Sequence, residues 1–204
     1  MAKQPLYSGW EEVSPCLGYA NFYEGEPGSC FGPRSLRDFQ LIFVLAGEGE
    51  AKLGDALYNI CSGDILFSPP REVQTVSASS DQRLRLVGLH FVFEASEYGG
   101  PEGINCIEKT VPGCPVRPLP PLYLRSRLSR PIFTFGKDLA LSYISSPHGR
   151  LLEKKGLLLL LFQAWREEIE RARGEENVSR RHLLLVERAE SALCHNLKKS
   201  PSWD

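Results

Sequence analysis

Between Asp38 and Phe93 no apolar run lasts long enough to make a helix. The segment reads DFQLIFVLAGEGEAKLGDALYNICSGDILFSPPREVQTVSASSDQRLRLVGLHFVF. Runs dense in Phe, Ile and Val stop at Gly47-Glu48-Gly49, Gly54-Asp55, Ser62-Gly63-Asp64 and Pro69-Pro70. Aromatic and β-branched residues suit a pleated, half-buried surface, and Gly and Pro supply the turns. Short strands at this spacing fold into a sandwich or barrel. The inner wall of such a barrel can be read residue by residue.

The spacing predicts strands over 18–23, 39–45, 50–53, 56–60, 65–68, 73–77 and 84–93, with at most one or two short strands between 97 and 121. Past residue 133 prolines thin out and the period lengthens. Helices are expected over 137–145, about 149–173 and 179–198, with Gly174 as the natural stop of the second. Two functions are excluded by bulk properties. A net charge of -1 gives no global attraction to nucleic acid or acidic lipid. The longest apolar run, Leu157 to Phe162, is too short to span a membrane. The acid-bearing N-terminus is not a secretory signal. Six cysteines (Cys16, Cys30, Cys61, Cys106, Cys114, Cys194) form no CxxC pair, which suits reduced thiols in a cytoplasmic protein. A Cys106–Cys114 bridge is the minority reading.

LAGEGEAKLGDALYNICSGDILFSPP, followed by LVGLHFVF, resembles the N-terminal sensor domain of AraC/XylS-type bacterial transcription regulators. The shared pattern is a strand, a G-x-G bend, a strand pair, a P-G-D-like turn, a P-P corner and a strand ending in His-Phe, here His90-Phe91. Ser62 stands where the family usually has Pro. The resemblance implies a mainly β fold with C-terminal helices, a cupin (double-stranded β-helix or jelly-roll) barrel followed by about three α-helices. It implies a barrel over 1–133 with 1–15 as a flexible arm, a helical dimerisation region over 134–176, and a linker with a first helix over 177–204. ERAESALCHNLKKSPSWD resembles the opening helix of the family's helix-turn-helix domain, so the chain is expected to be a fragment that meets DNA only through a missing C-terminal domain.

Catalytic cupins hold a metal through His-x-His, a Glu and a later His. By spacing from Gly47 these positions fall at 34–36, Gln40 and Gln74, and none is His or Glu. Gln is a poor transition-metal ligand. No metal, cofactor or catalytic residue is therefore expected, and a regulator is preferred to a cupin enzyme such as an isomerase or dioxygenase.

Strand alternation assigns the inner wall. If Gln40 faces inward, so do Ile42, Val44 and Ala46. Gln74 takes Val76 with it, and Leu84, Leu86, Gly88 and His90 share a face. The candidate effector contacts are Tyr19, Arg37, Gln40, Val44, Ala46, Gln74, Val76, Leu86, Gly88 and His90. Each has a plainer reading as core or surface, His90 as a hydrogen-bonded structural residue and Arg37 as a surface partner of Asp38. Polar groups are sparse for a sugar site, which leaves a more apolar small-molecule effector or a filled barrel. The helix around Leu157 is apolar on more than one side. One side covers the barrel, and Leu158, Leu161, Phe162, Trp165 and Ile169 are assigned to a two-fold homodimer contact.

Overall fold

The structure, a computed structural model, describes residues 9–10, 13–93, 116 and 119–197, with side chains described as far as Glu175. Two antiparallel sheets carry the β half. The first has five strands, β1 (Pro15–Gly25), β8 (Leu84–Phe93), β3 (Phe39–Ala46), β6 (Asp64–Ser68) and β9 (Tyr123–Arg125), side by side in that order. The second has four, β2 (Cys30–Ser35), β7 (Val73–Ala78), β4 (Glu48–Leu53) and β5 (Ala56–Cys61). Ile42, Val44, Leu53, Ile60, Leu66 and Val76 fill the space between them. The turns are built as their residues require. Gly47, Gly54 and Gly63 have φ of 82°, 58° and 98°, a region closed to most side chains. Asp64, buried, accepts a hydrogen bond from the Cys61 amide at 2.8 Å and pins the Ser62-Gly63 turn.

β2 was not expected. Its sequence, CFGPRS, is broken by Gly32 and Pro33, and its pairing with β7 slips at that point. A proline inside a run argues against a strand, and this one lies beside β7 alone at the end of its sheet. The segment from 94 to 115, with Cys106 and Cys114, lies outside the described residues.

β3 is buried along both faces. Its inner residues join the core, and its outer ones form an aromatic layer. Phe39 stacks on Phe67 at 6.0 Å and on Phe91 at 5.8 Å, and meets Phe93 edge-on at 4.9 Å. Two helices cover this layer. From α1 (Pro131–Ser145), Phe133 meets Phe43 at 5.6 Å. From α2 (Leu151–Leu197), Phe162 meets Phe91 at 5.1 Å and Trp165 meets Phe67 at 4.9 Å. Trp10 packs edge-on against the Trp165 ring at 5.8 Å. Lys154 fastens the corner between the helices. Its Nζ donates to the carbonyls of Ser146 and Pro147 at 2.6 and 2.7 Å and sits 5.3 Å over the Tyr143 ring. Burial holds the Lys154 pKa below its ordinary value.

The helical half differs from expectation in four ways. Among the described residues there are two helices, not about three. α1 begins at Pro131, six residues earlier than the pattern of apolar residues suggested, because proline is favoured in a first helical turn. α2 runs through Gly174, where a stop was expected. Glycine in a helix interior costs about 1 kcal/mol against alanine, but no proline follows to enforce an end, and Arg171 pairs with Glu175 at 2.6 Å across it. The chain divides into a compact unit through Ile169 and a second unit from Glu170, helical as far as Leu197.

The fourth difference concerns Leu158, Leu161, Phe162, Trp165 and Ile169. All five are buried within one chain. Of the residues assigned to a homodimer contact, Phe162 and Trp165 cover the barrel's aromatic layer, and all five are buried without a second copy. Near them Glu168, also buried, accepts hydrogen bonds from Ser126 Oγ and Arg130 Nε. Trp165→Ala is expected to cost about 3–5 kcal/mol, read as a lowered midpoint in urea. Leu161→Asp should unfold the protein rather than separate subunits. A folded Leu161→Asp monomer with an unchanged thermal transition would contradict this packing.

Candidate ligand cavity

At one end of the barrel the core gives way to a cavity of about 120 Å3, lined by Asn21, Tyr23, Phe31, Arg34, Gln40, Ile42, Leu86 and Gly88. Antiparallel register explains the grouping. On β1, β8 and β3, Asn21 lies opposite Gly88, Gly88 opposite Ile42, and Gln40 opposite His90. On the second sheet Arg34 lies opposite Gln74. Gly88 is what keeps the space open. A Cβ there would stand 2.7 Å from Asn21 Oδ1 and 3.3 Å from Gln40 Nε2.

Gln40 organises the polar groups. Its Oε1 accepts from Gln74 Nε2 at 2.7 Å and from Arg34 Nη2 at 3.3 Å. With the oxygen so engaged, Nε2 must face His90 Nε2, 2.8 Å away. An amide nitrogen can only donate, so His90 Nε2 accepts and its proton sits on Nδ1. That nitrogen lies 3.2 Å from both carboxylate oxygens of Asp38. The chain Gln74–Gln40–His90–Asp38 is buried throughout. Two polar atoms beside it have no partner among the described residues. They are Gln74 Oε1 and Ser68 Oγ, the latter on the residue facing Gln40 in β6.

The positions that would hold a metal in a catalytic cupin are thus occupied by amides and a guanidinium. Arg34 brings a positive charge to the place where a cation would sit, and His90 and Asp38 are engaged with each other. Among the described residues no three of His, Cys, Asp and Glu cluster as metal ligands. This donor set does not fit a transition metal.

Of the expected effector contacts, Gln40, Leu86 and Gly88 line the cavity. Gln74 and His90 stand behind it, through Gln40. Val44 and Val76 belong to the inner core. Ala46 lies past a register slip, opposite Arg85, and reaches neither. Tyr19 lies edge-on to His90 at 5.5 Å and to Tyr143 at 5.7 Å, outside the lining. Arg37 is exposed on the turn before β3, and the arginine at the cavity is Arg34. Sequence reasoning also passed over Asn21 and Phe31. Asn21 was legible in the alternation Tyr19, Asn21, Tyr23. Phe31 and Arg34 were hidden with β2. Asp38, read as a surface partner of Arg37, is buried against His90.

Two antiparallel sheets closed around one core, with a polar group at one mouth, define a cupin-type barrel. The domain is more specific than that: residues 20–98 match the family model for the AraC-like ligand binding domain, so this chain carries a cupin domain of that type. Solved structures give weaker likenesses. They include the plu4264 protein from Photorhabdus luminescens (14% identity, 35% of this chain and 59% of that one, TM-score 0.34). A protein described as a predicted oxalate decarboxylase from Thermotoga maritima follows (19% identity, 38% and 68%, TM-score 0.35). A cupin-2 domain protein from Rhodospirillum rubrum is a third (14% identity, 47% and 72%, TM-score 0.34). This chain therefore spans less than two thirds of the first of these proteins. No curated protein matches it. No helix among the described residues is long and apolar enough to cross a membrane.

The network yields an ordering of variants. Gln40→Met leaves His90 Nε2 and Gln74 Nε2 without partners and is expected to cost on the order of 2–3 kcal/mol. Gln74→Met removes one donor together with an acceptor that has no partner, and should cost about 1 kcal/mol or less. Urea unfolding of the two proteins checks this, and an equal or reversed ranking would refute the hydrogen-bond scheme.

Proposed function

We propose that this chain is the effector-sensing and dimerisation part of a cytoplasmic, bacterial AraC-type transcription regulator. The observation that carries the reading is the cavity itself, placed within the segment that matches the AraC-like ligand binding domain. That match points to a regulator rather than an enzyme, and the donor set around Gln40 supports the same choice. A small molecule held between Arg34, Gln40 and Gly88 would favour one arrangement of barrel and helices, and it can shift that balance only by its differential affinity for the two states. DNA contact is assigned to a helix-turn-helix domain outside these 204 residues.

Self-association is assigned to the outer side of the helices. Leu152 is 88% exposed and Leu151 71%, and Leu159 and Leu160 are about half exposed. Gly156 lies among them, and a Cβ there would meet nothing within 4 Å. Leucines around a bare glycine at helical spacing form a face that a second copy of the helix can approach closely. Leu152→Glu with Leu159→Glu should therefore give monomers in sedimentation with an unchanged thermal midpoint. A persistent dimer would remove this face from the interface.

A second reading, a structural dimerisation module that binds nothing, is favoured by the cavity's size, since ligand pockets usually span about 300–1,000 Å3. Gly88→Val separates the two. In an intact regulator carrying this domain, it should reduce effector-dependent reporter expression at least about tenfold while leaving the domain folded. An unaltered response would favour the structural module. Stoichiometric iron, manganese or zinc in the purified protein would instead revive the cupin-enzyme alternative.

A further inference from the structure

The cavity has an unusual division of labour. Phe31, Tyr23, Ile42 and Leu86 give it apolar walls, while Arg34 supplies its one lining charge. The guanidinium sits 5.1 Å over the Phe31 ring and makes a single hydrogen bond, at 3.3 Å, to a neutral oxygen. No carboxylate lies within ion-pair distance of it among the described residues. Asp38, the nearest acid to influence it, is engaged by His90 Nδ1. Partial burial, opposed by Asp38, holds the Arg34 pKa below its ordinary value. Arg34 keeps contact with solvent, but a cation without a counter-ion gains from an anion that can reach it.

We propose that the cavity takes a small carboxylate with a compact apolar body, its anionic end on Arg34 and its body against Phe31, Tyr23, Ile42 and Leu86. This rests on the sensing reading and narrows it. The volume limits the body. An apolar cavity of roughly 150 Å3 holds a benzene ring, so about 120 Å3 suits a single ring or a short branched chain. Asn21 borders the cavity beside Gly88 with its Oδ1, an acceptor, so the contact to the carboxylate falls to Arg34. A sugar of comparable size would set several hydroxyls against apolar walls, at the cost of their hydrogen bonds to water.

Isothermal titration of the 204-residue chain tests this with butyrate and benzoate, their uncharged counterparts butyramide and benzamide, and arabinose. At least one carboxylate should bind about tenfold or more tightly than its matching amide. Arg34→Met should abolish that difference without shifting the thermal transition, and Arg34→Lys should restore part of it. Gly88→Val should abolish binding altogether. The proposal is overturned if neither carboxylate binds, if the amides bind equally well, or if Arg34→Met changes nothing. An amide or arabinose that binds, is blocked by Gly88→Val and ignores Arg34→Met would remove the anion and keep the sensing reading. The sensing reading falls only if Gly88→Val also leaves regulation by the intact protein unaltered.

Discussion

Everything in the first unit hangs on β3 being covered twice. A strand reading FQLIFVLA exposes too much apolar surface to tolerate water on either side. Each face has a different solution. Inside, the second sheet meets Ile42 and Val44. Outside, Phe39 and Phe43 need helices, and α1 and α2 supply Phe133, Phe162 and Trp165. The helices are thus part of the barrel's fold before they can be anything else. Their assignment to dimerisation must use what remains after that duty, which is the Leu152–Leu160 side.

The same strand positions the polar chemistry. Gln40 occurs where β3 runs out of core, and register sets it between His90 on one side and Ser68 on the other. Because its amide has an acceptor end and a donor end, it also fixes which nitrogen of His90 carries the proton. A carboxylate at that position would lose the donor and could hold a cation instead. The exchange of an acid for an amide moves the site from ligating metals to ordering hydrogen bonds, with Arg34 as the charge beside it.

How much of this was legible follows from how each element earns its burial. β3 and β8 declared themselves because dense Phe, Leu and Val leave no other solution. Their alternation placed Gln40, Leu86 and Gly88 together before any coordinates. β2 was illegible because Gly32 and Pro33 erase the period, and Arg34 and Phe31 went with it. Arg37 drew attention as the charge nearest β3, yet a turn residue has no obligation to face inward. In α2 the run of leucines and Phe162 showed that two sides are apolar without showing which meets the sheet. That choice depends on the positions of Phe67, Phe91 and Phe93, which no local pattern carries. Gly174 misled because a stop needs a left-handed residue or a following proline, and Gly174 has neither.

The aromatic layer has a consequence for how the chain is made. Strand pairs such as Pro15 with Phe93 join residues far apart in sequence, and pairings of that kind form slowly. Synthesis runs from the N-terminus, so every strand of the five-stranded face, with Phe39, Phe67, Phe91 and Phe93 on its outside, has been made before Phe162 and Trp165 leave the ribosome. During that interval the surface later hidden by α2 is bare hydrocarbon, the sort of patch on which nascent chains stick to one another. The long C-terminal helix is therefore a late-arriving cover, and the yield of folded protein depends on its docking promptly.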